Sequence, residues 1–161
     1  MTDIAPPRVL FVCLGNICRS PLAEAALRAA AVRARVSLEV DSAGTGDWHV
    51  GKPPDPRAIA TAARHGLDIG GLRARQVTPA DFRGFDRLVA LDRANLADLR
   101  RIAPRAPRAD LGLLLDHVEG REGQDVADPY FGDDAGFELA WRDIVAGVEG
   151  LLADLCRQAR R

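Results

Sequence analysis

A single α/β domain built on a central parallel sheet is the fold the sequence predicts, and three observations carry that expectation. Short apolar runs rich in β formers alternate with segments of helical periodicity from end to end, the pattern of βαβ units. The chain has 161 residues, a length suited to one domain, so one domain over 1–161 is expected. No internal repeat, low-complexity tract or linker interrupts it. We expect four parallel strands with helices on both faces and a phosphate-binding loop after the first strand.

The elements follow in order. Arg8–Val12 (RVLFV) is an apolar run of β formers and reads as a buried strand. From Pro21 to about Ala34 a helix is expected, with Pro in its first turn and Leu22, Ala26, Leu27 and Ala30 on one face. Val36–Ser42 alternates apolar and polar residues, so it is a strand. Ser42–Pro54 is punctuated by Gly and Pro and forms a loop. Asp55-Pro56 opens a helix that runs to a capping Gly66. Arg87–Leu91 is the third strand. Asp92 caps the next helix, whose face carries Leu96, Leu99 and Ile102 and which Pro104 ends. Leu111–Leu115 is the fourth strand, and Gly120–Asp134 a second long loop. In the last helix Phe137, Trp141, Ile144, Val148, Leu151, Leu152 and Leu155 recur at spacings of three and four.

Composition narrows the function classes. The apolar fraction is 47%, enough for one core, and the formal net charge of −1 leaves no electrostatic footprint for nucleic acid and no polybasic membrane patch. Only Lys52 among 22 basic residues is a lysine, which reads as compositional bias rather than function. No apolar run approaches the ~20 residues of a membrane span. The start, MTDIAPPRVLFVCLGN, does not read as a signal peptide. Three cysteines, Cys13, Cys18 and Cys156, are too few for a disulfide scaffold, so reduced thiols and a cytoplasmic setting are expected. The apolar faces are all needed for one core and say nothing of oligomeric state.

In parallel α/β folds, ligands sit beyond the carboxyl ends of the strands. After the first strand the chain reads Cys13-Leu14-Gly15-Asn16-Ile17-Cys18-Arg19-Ser20-Pro21 and enters a helix. Roughly six backbone N–H groups of such a loop can curl toward one point and, with the helix dipole, make an anion site. Gly15 is expected to supply backbone angles that other residues resist, and Asn16 a left-handed conformation. Neither nucleotide-binding glycine motif is present, and the cysteine spacing suits neither a metal nor a redox C-x-x-C. What remains is Cys-x₅-Arg-Ser. A ring of donors favours a thiolate at its base, and the same ring binds phosphoryl oxygens. Arg19 can grip two of those oxygens in a planar fork, with Cys13 in line for attack on phosphorus. Ser20 can hydrogen-bond the sulfur and help it leave. Cys18 shares this curled loop, which suggests a reversible disulfide with Cys13 under oxidation.

Residues Val12–Pro21 resemble the signature of the low-molecular-weight protein tyrosine phosphatases. Ser42-Ala43-Gly44-Thr45-Gly46 is similar to the family's second motif and Asp128-Pro129-Tyr130 to its third, in the expected order over essentially the whole chain. The resemblance implies a phosphatase that hydrolyses phosphotyrosine in proteins through a cysteinyl-phosphate, without cofactor or metal. It makes Asp128 the acid that protonates the leaving phenol and later activates water. Read from composition alone, Asp128-Pro129 would be only a turn opener. Trp48 and Tyr130 match positions that line the cleft entrance, where they would flank a flat substrate ring. Leu14, Gly15, Asn16, Ile17, Cys18 and Ser20 would meet the phosphate. Asp92 and Ser42, with Asn16, are expected to hold the site by hydrogen bonds, Asp92 being a helix cap first. Phe131 departs from the family, where a second Tyr is common.

Of the histidines, His49 can edge the site, His65 suits a helix end, and His117 has no motif around it. Two rival readings fit the sequence less well. An arsenate reductase on this fold needs a relay of thiols around the third strand, and residues 66–115 contain no Cys. A non-catalytic phosphotyrosine-binding module would be expected to lack Cys13, Arg19 or Asp128, and all three are present.

Overall fold

The computed structural model describes residues 5–159. Four parallel strands, β1 (Arg8–Cys13), β2 (Glu39–Gly44), β3 (Arg87–Ala90) and β4 (Asp110–Leu113), form one sheet in the order β2-β1-β3-β4. The most apolar strand, β1, is central, and its residues Val9–Val12 are fully buried. Period-two alternation divides β1 between two cores. Val9, Phe11 and Cys13 face α1 (Arg19–Ala34), α2 (Pro56–Arg64) and α5 (Asp134–Ala159). Leu10 and Val12 face the one-turn α3 (Asp81–Gly84) and α4 (Arg93–Ile102).

The long apolar stripe of α5 is buried at every position the periodicity predicts, and α5 packs mainly against α1 and the turn at Leu114–His117, with α2 beside it. Each such buried side chain contributes about 1.5–3 kcal/mol. All of this leaves the carboxyl ends of β1 and β3 open at one edge of the molecule, where the loops gather.

Several boundaries differ from expectation. Strand β2 starts at Glu39 rather than Val36, because its partner β1 begins at Arg8 behind Pro6-Pro7. Val36 and Leu38 still alternate and pack on the core from outside the ladder. β2 runs on to Gly44 because Ala43 and Gly44 pair with Val12 and Cys13. Helix α1 begins at Arg19, two residues early. Pro21 is tolerated there because the first four N–H groups of a helix have no intrahelical partner. Ile102 does not share the buried face of Leu96 and Leu99; it is exposed. Steps of three residues drift by about 60° each in a 3.6-residue helix, which turns the third member away. Strand β4 ends at Leu113, and Leu114–His117 forms a 3₁₀ turn. Helix α3, with the fully buried Phe82, carries no signal long enough to have been read.

Candidate active site

The loop from Cys13 to Arg19 joins the end of β1 to the first residue of α1. Cys13 is buried at its base. Its sulfur lies 3.3 Å from the Asn16 N–H and 3.0 Å from the Ser20 hydroxyl. Asn16 adopts φ 57°, the left-handed conformation expected of it. Gly15 corrects an expectation, because its φ is not in the left-handed region. The residue instead lies close under a side chain, since a Cβ would stand 3.0 Å from the His49 ring and push it aside by a few tenths of an ångström.

A directed hydrogen-bond chain holds the loop. The Arg75 N–H donates to the Asn16 side-chain oxygen at 3.0 Å, which orients the amide. Its NH₂ group then donates to Ser20 Oγ at 2.7 Å and to Ser42 Oγ at 3.0 Å. The Ser42 hydroxyl donates in turn to Glu24 Oε1 at 2.7 Å. With a lone pair of Ser20 occupied by Asn16, its own hydrogen is free to point at the Cys13 sulfur. Glu24 is only 3% exposed and pairs with Arg28 at 3.0 Å. Burial pushes its carboxyl above the usual range, against the opposing pull of Ser42 and Arg28.

Gly44 backs the same loop. A Cβ on it would fall 2.7 Å from the Leu14 carbonyl oxygen and 3.2 Å from the Asn16 nitrogen. Beyond Gly44, the Thr45 and Gly46 N–H groups donate to the carbonyls of Cys13 and Leu14, each at 2.9 Å.

Arg19 is 2% exposed. Its guanidinium meets Asp92 at 2.7 Å, the Val126 carbonyl at 2.8 Å and Asp128 at 3.5 Å. Burial alone would lower its pKa. The negative charge of a Cys13 thiolate and the contact with Asp92 outweigh burial and raise it. Asp92 caps α4 through its other oxygen, which accepts from the Asn95 N–H at 2.7 Å.

Cys13, Arg19 and Asp128 line one cleft. Its walls include Leu14, Ile17, Trp48, Tyr130 and Phe131, with His49 beside Tyr130 at 6.4 Å between ring centroids. Trp48 is 66% exposed and Phe131 94%. Cys18 also lines the cleft, and burial, aided by the charges of Asp55, Cys13 and Asp128, pushes its thiol up. The side chains of Asn16, Ser20 and Ser42 are joined to one another in the network that backs the Cys13 sulfur and are not among the residues lining the cleft. Of the remaining histidines, His65 caps α2 and stacks on Trp141, and His117 meets Asp154 on α5.

Such a site can seat an oxyanion beside a buried sulfur, with a carboxylate at its mouth. Residues 8–161 match the family model described as low molecular weight phosphotyrosine protein phosphatase. The chain belongs to that family. It is 41% identical to the low molecular weight protein-tyrosine-phosphatase YfkJ of Bacillus subtilis, over 93% of this chain and 96% of the other. It is 40% identical to low molecular weight phosphotyrosine protein phosphatase 1 of Drosophila melanogaster, over 91% and 96%. The crystal structure of YfkJ superposes with a TM-score of 0.90, covering 98% of this chain and 99% of that one. A Drosophila protein described as an arginine phosphatase superposes with a TM-score of 0.86 at 35% identity, covering 91% and 96%. This low molecular weight phosphatase is thus a hydrolase of phosphotyrosine in proteins, on the single-domain fold of its solved relatives.

Glu24, Arg75 and the Val126 carbonyl were missed from the sequence. A glutamate within a helix and an arginine in a loop look like solvated charges, and a backbone carbonyl has no sequence signal.

Proposed function

We propose that residues 1–161 act as one phosphatase domain in which Cys13 is the nucleophile, Arg19 the phosphate clamp and Asp128 the acid and base. The Cys13 thiolate attacks phosphorus, forming an S–P bond as the P–O bond to the phenol breaks. Asp128 gives its proton to the departing oxygen. Arg19 and the loop N–H groups hold the equatorial oxygens through the transition state. Water, giving its proton to Asp128, then attacks phosphorus and displaces the sulfur, with Ser20 donating to the leaving thiolate. The convergence of Cys13, Arg19 and Asp128 on one cleft, with Asp128 3.5 Å from the clamp, carries this reading.

The substrate is a phosphotyrosine whose ring lies between Trp48 and Tyr130. Walls of aromatic and aliphatic side chains favour a phenyl ring over a phosphorylated guanidinium, which needs acceptors along its plane. The test pairs phenyl phosphate with an activated aryl phosphate and with phosphoarginine. In Asp128→Ala the poor leaving group should lose about 10²–10⁴-fold in rate and the activated one far less. An equal loss for both would remove Asp128 as proton donor, and a preference for phosphoarginine would remove the aromatic substrate.

A further inference from the structure

The segment that carries Asp128 has few bonds of its own to the rest of the molecule. Within it, the Tyr130 N–H donates to the Asp128 carboxylate at 3.1 Å and the Gly132 N–H to the Pro129 carbonyl at 2.9 Å. Among the described residues, apart from the 3.5 Å ion pair of Arg19 with the Asp128 carboxylate itself, the hydrogen bonds that reach 128–132 from elsewhere in the chain come from one side chain, Arg57. Its guanidinium donates to the Tyr130 carbonyl at 2.9 Å and to the Gly132 carbonyl at 3.1 Å. The adjacent edge of the same fork, Nε and the shared Nη2, grips Asp55 through both carboxylate oxygens, at 3.0 and 2.9 Å. The guanidinium carbon also lies over the Phe137 ring at 4.8 Å, on the first turns of α5.

Asp55 is tied in turn to the phosphate loop, because its N–H donates to the Ile17 carbonyl at 2.8 Å. A continuous path therefore runs from the loop that would seat the phosphate, through Asp55 and Arg57, to the two carbonyls that flank Phe131. We propose that Arg57 is a positioning residue, which sets the distance between Asp128 and the phosphate loop and so governs protonation of the leaving group. This rests on the reading of Asp128 as the acid. A planar fork with donors on both edges is required, and an ammonium cannot bridge one carboxylate and two carbonyls in a plane. The Arg57 side chain is about one-third exposed, so as an ordinary surface ion pair it would do little. Its value lies in geometry, since misplacing a catalytic group by about 1 Å can cost on the order of 10²-fold.

The test uses Arg57→Lys and, because Asn caps a helix as well as Asp does, Asp55→Asn. Turnover is measured on phenyl phosphate and on an activated aryl phosphate, with inorganic phosphate as competitive inhibitor. Both variants should lose about tenfold or more on phenyl phosphate and much less on the activated ester, with phosphate inhibition unchanged. In an Asp128→Ala background, Arg57→Lys should add no further selectivity between leaving groups. Equal losses on both esters, or a selective loss that persists without Asp128, would overturn the clamp. Asp128→Ala alone separates the two failures: if it lacks leaving-group selectivity the acid assignment falls, and if it has that selectivity while Arg57→Lys does not, only the clamp falls.

Discussion

Asp92 serves Arg19 and the α4 backbone with different oxygens, one 2.7 Å from the guanidinium and the other 2.7 Å from the Asn95 N–H. Both ends of this carboxylate accept. In Asp92→Asn one of them becomes a donor facing a donor, although Asn is a good cap in isolation. The variant should therefore lose more than the ~1 kcal/mol of a lost cap and approach the roughly 3–5 kcal/mol of a broken buried pair. Denaturant unfolding of Asp92→Asn beside Asp92→Ala measures this. A change under ~1 kcal/mol would mean that Arg19 holds its place without Asp92.

Arg19→Lys should reduce turnover by orders of magnitude while the chain stays folded. Lys keeps the charge but cannot meet Asp92, the Val126 carbonyl and a phosphate together. Rates and unfolding curves on one preparation check it; near-normal rates would dismiss the clamp.

Gly44→Ala should damage activity more than stability. The added methyl meets backbone atoms of the phosphate loop, which cannot rotate away as a side chain could, so the loop must shift. We expect weaker phosphate inhibition and lower kcat, with a stability loss of about 1–3 kcal/mol, as for overpacking. Unaltered phosphate affinity would show that the loop yields freely.

Glu24 gives a pH dependence. Its folded pKa is raised, chiefly by burial, so the folded state holds this proton more tightly than the unfolded chain does. Stability from this group is present below the unfolded value and is lost as pH rises through the folded one. Glu24→Gln keeps an acceptor for Ser42 and removes the titration. Relative to wild type, the variant should gain melting temperature as pH rises from 4 to 7. A constant difference over that range would contradict the assignment.

Cys18 predicts a redox response. Its thiol is held up by burial, so it stays protonated near neutrality and should resist alkylation. Once Cys13 is oxidised to a sulfenic acid, Cys18 can condense with it, releasing water and forming a disulfide. After peroxide and then dithiothreitol, wild type should recover most activity and Cys18→Ser much less, with a Cys13–Cys18 peptide seen before reduction. Equal recovery without that peptide would leave Cys18 as packing.

The strands, the helices longer than one turn and the phosphate loop were legible because each is a local pattern: an apolar run, a period, a short motif. Strand ends were less legible, since where β2 begins depends on where β1 can first pair with it. The supports of the site were least legible. Glu24 reaches Ser42 only because α1 packs against β2, and Arg57 reaches 130–132 only because α2 lies beside the last loop. Asp92 could be read as a cap from its neighbours, but its second partner lies 73 residues away. Gly15 was expected to need a left-handed backbone and does not have one; it stands instead close to the His49 ring, a long-range neighbour with no sequence signal.

The two tryptophans occupy opposite environments: Trp48 stands in water at the mouth of the cleft, and Trp141 is 7% exposed and stacked on His65. The molecule therefore carries two separate fluorophores. Iodide should quench the red-shifted emission of Trp48 selectively, and an aromatic ligand in the cleft should shield it. Emission from Trp141 reports whether α5 is still docked on its neighbours. Occupancy of the site and integrity of the fold can thus be read from one cuvette, without a label.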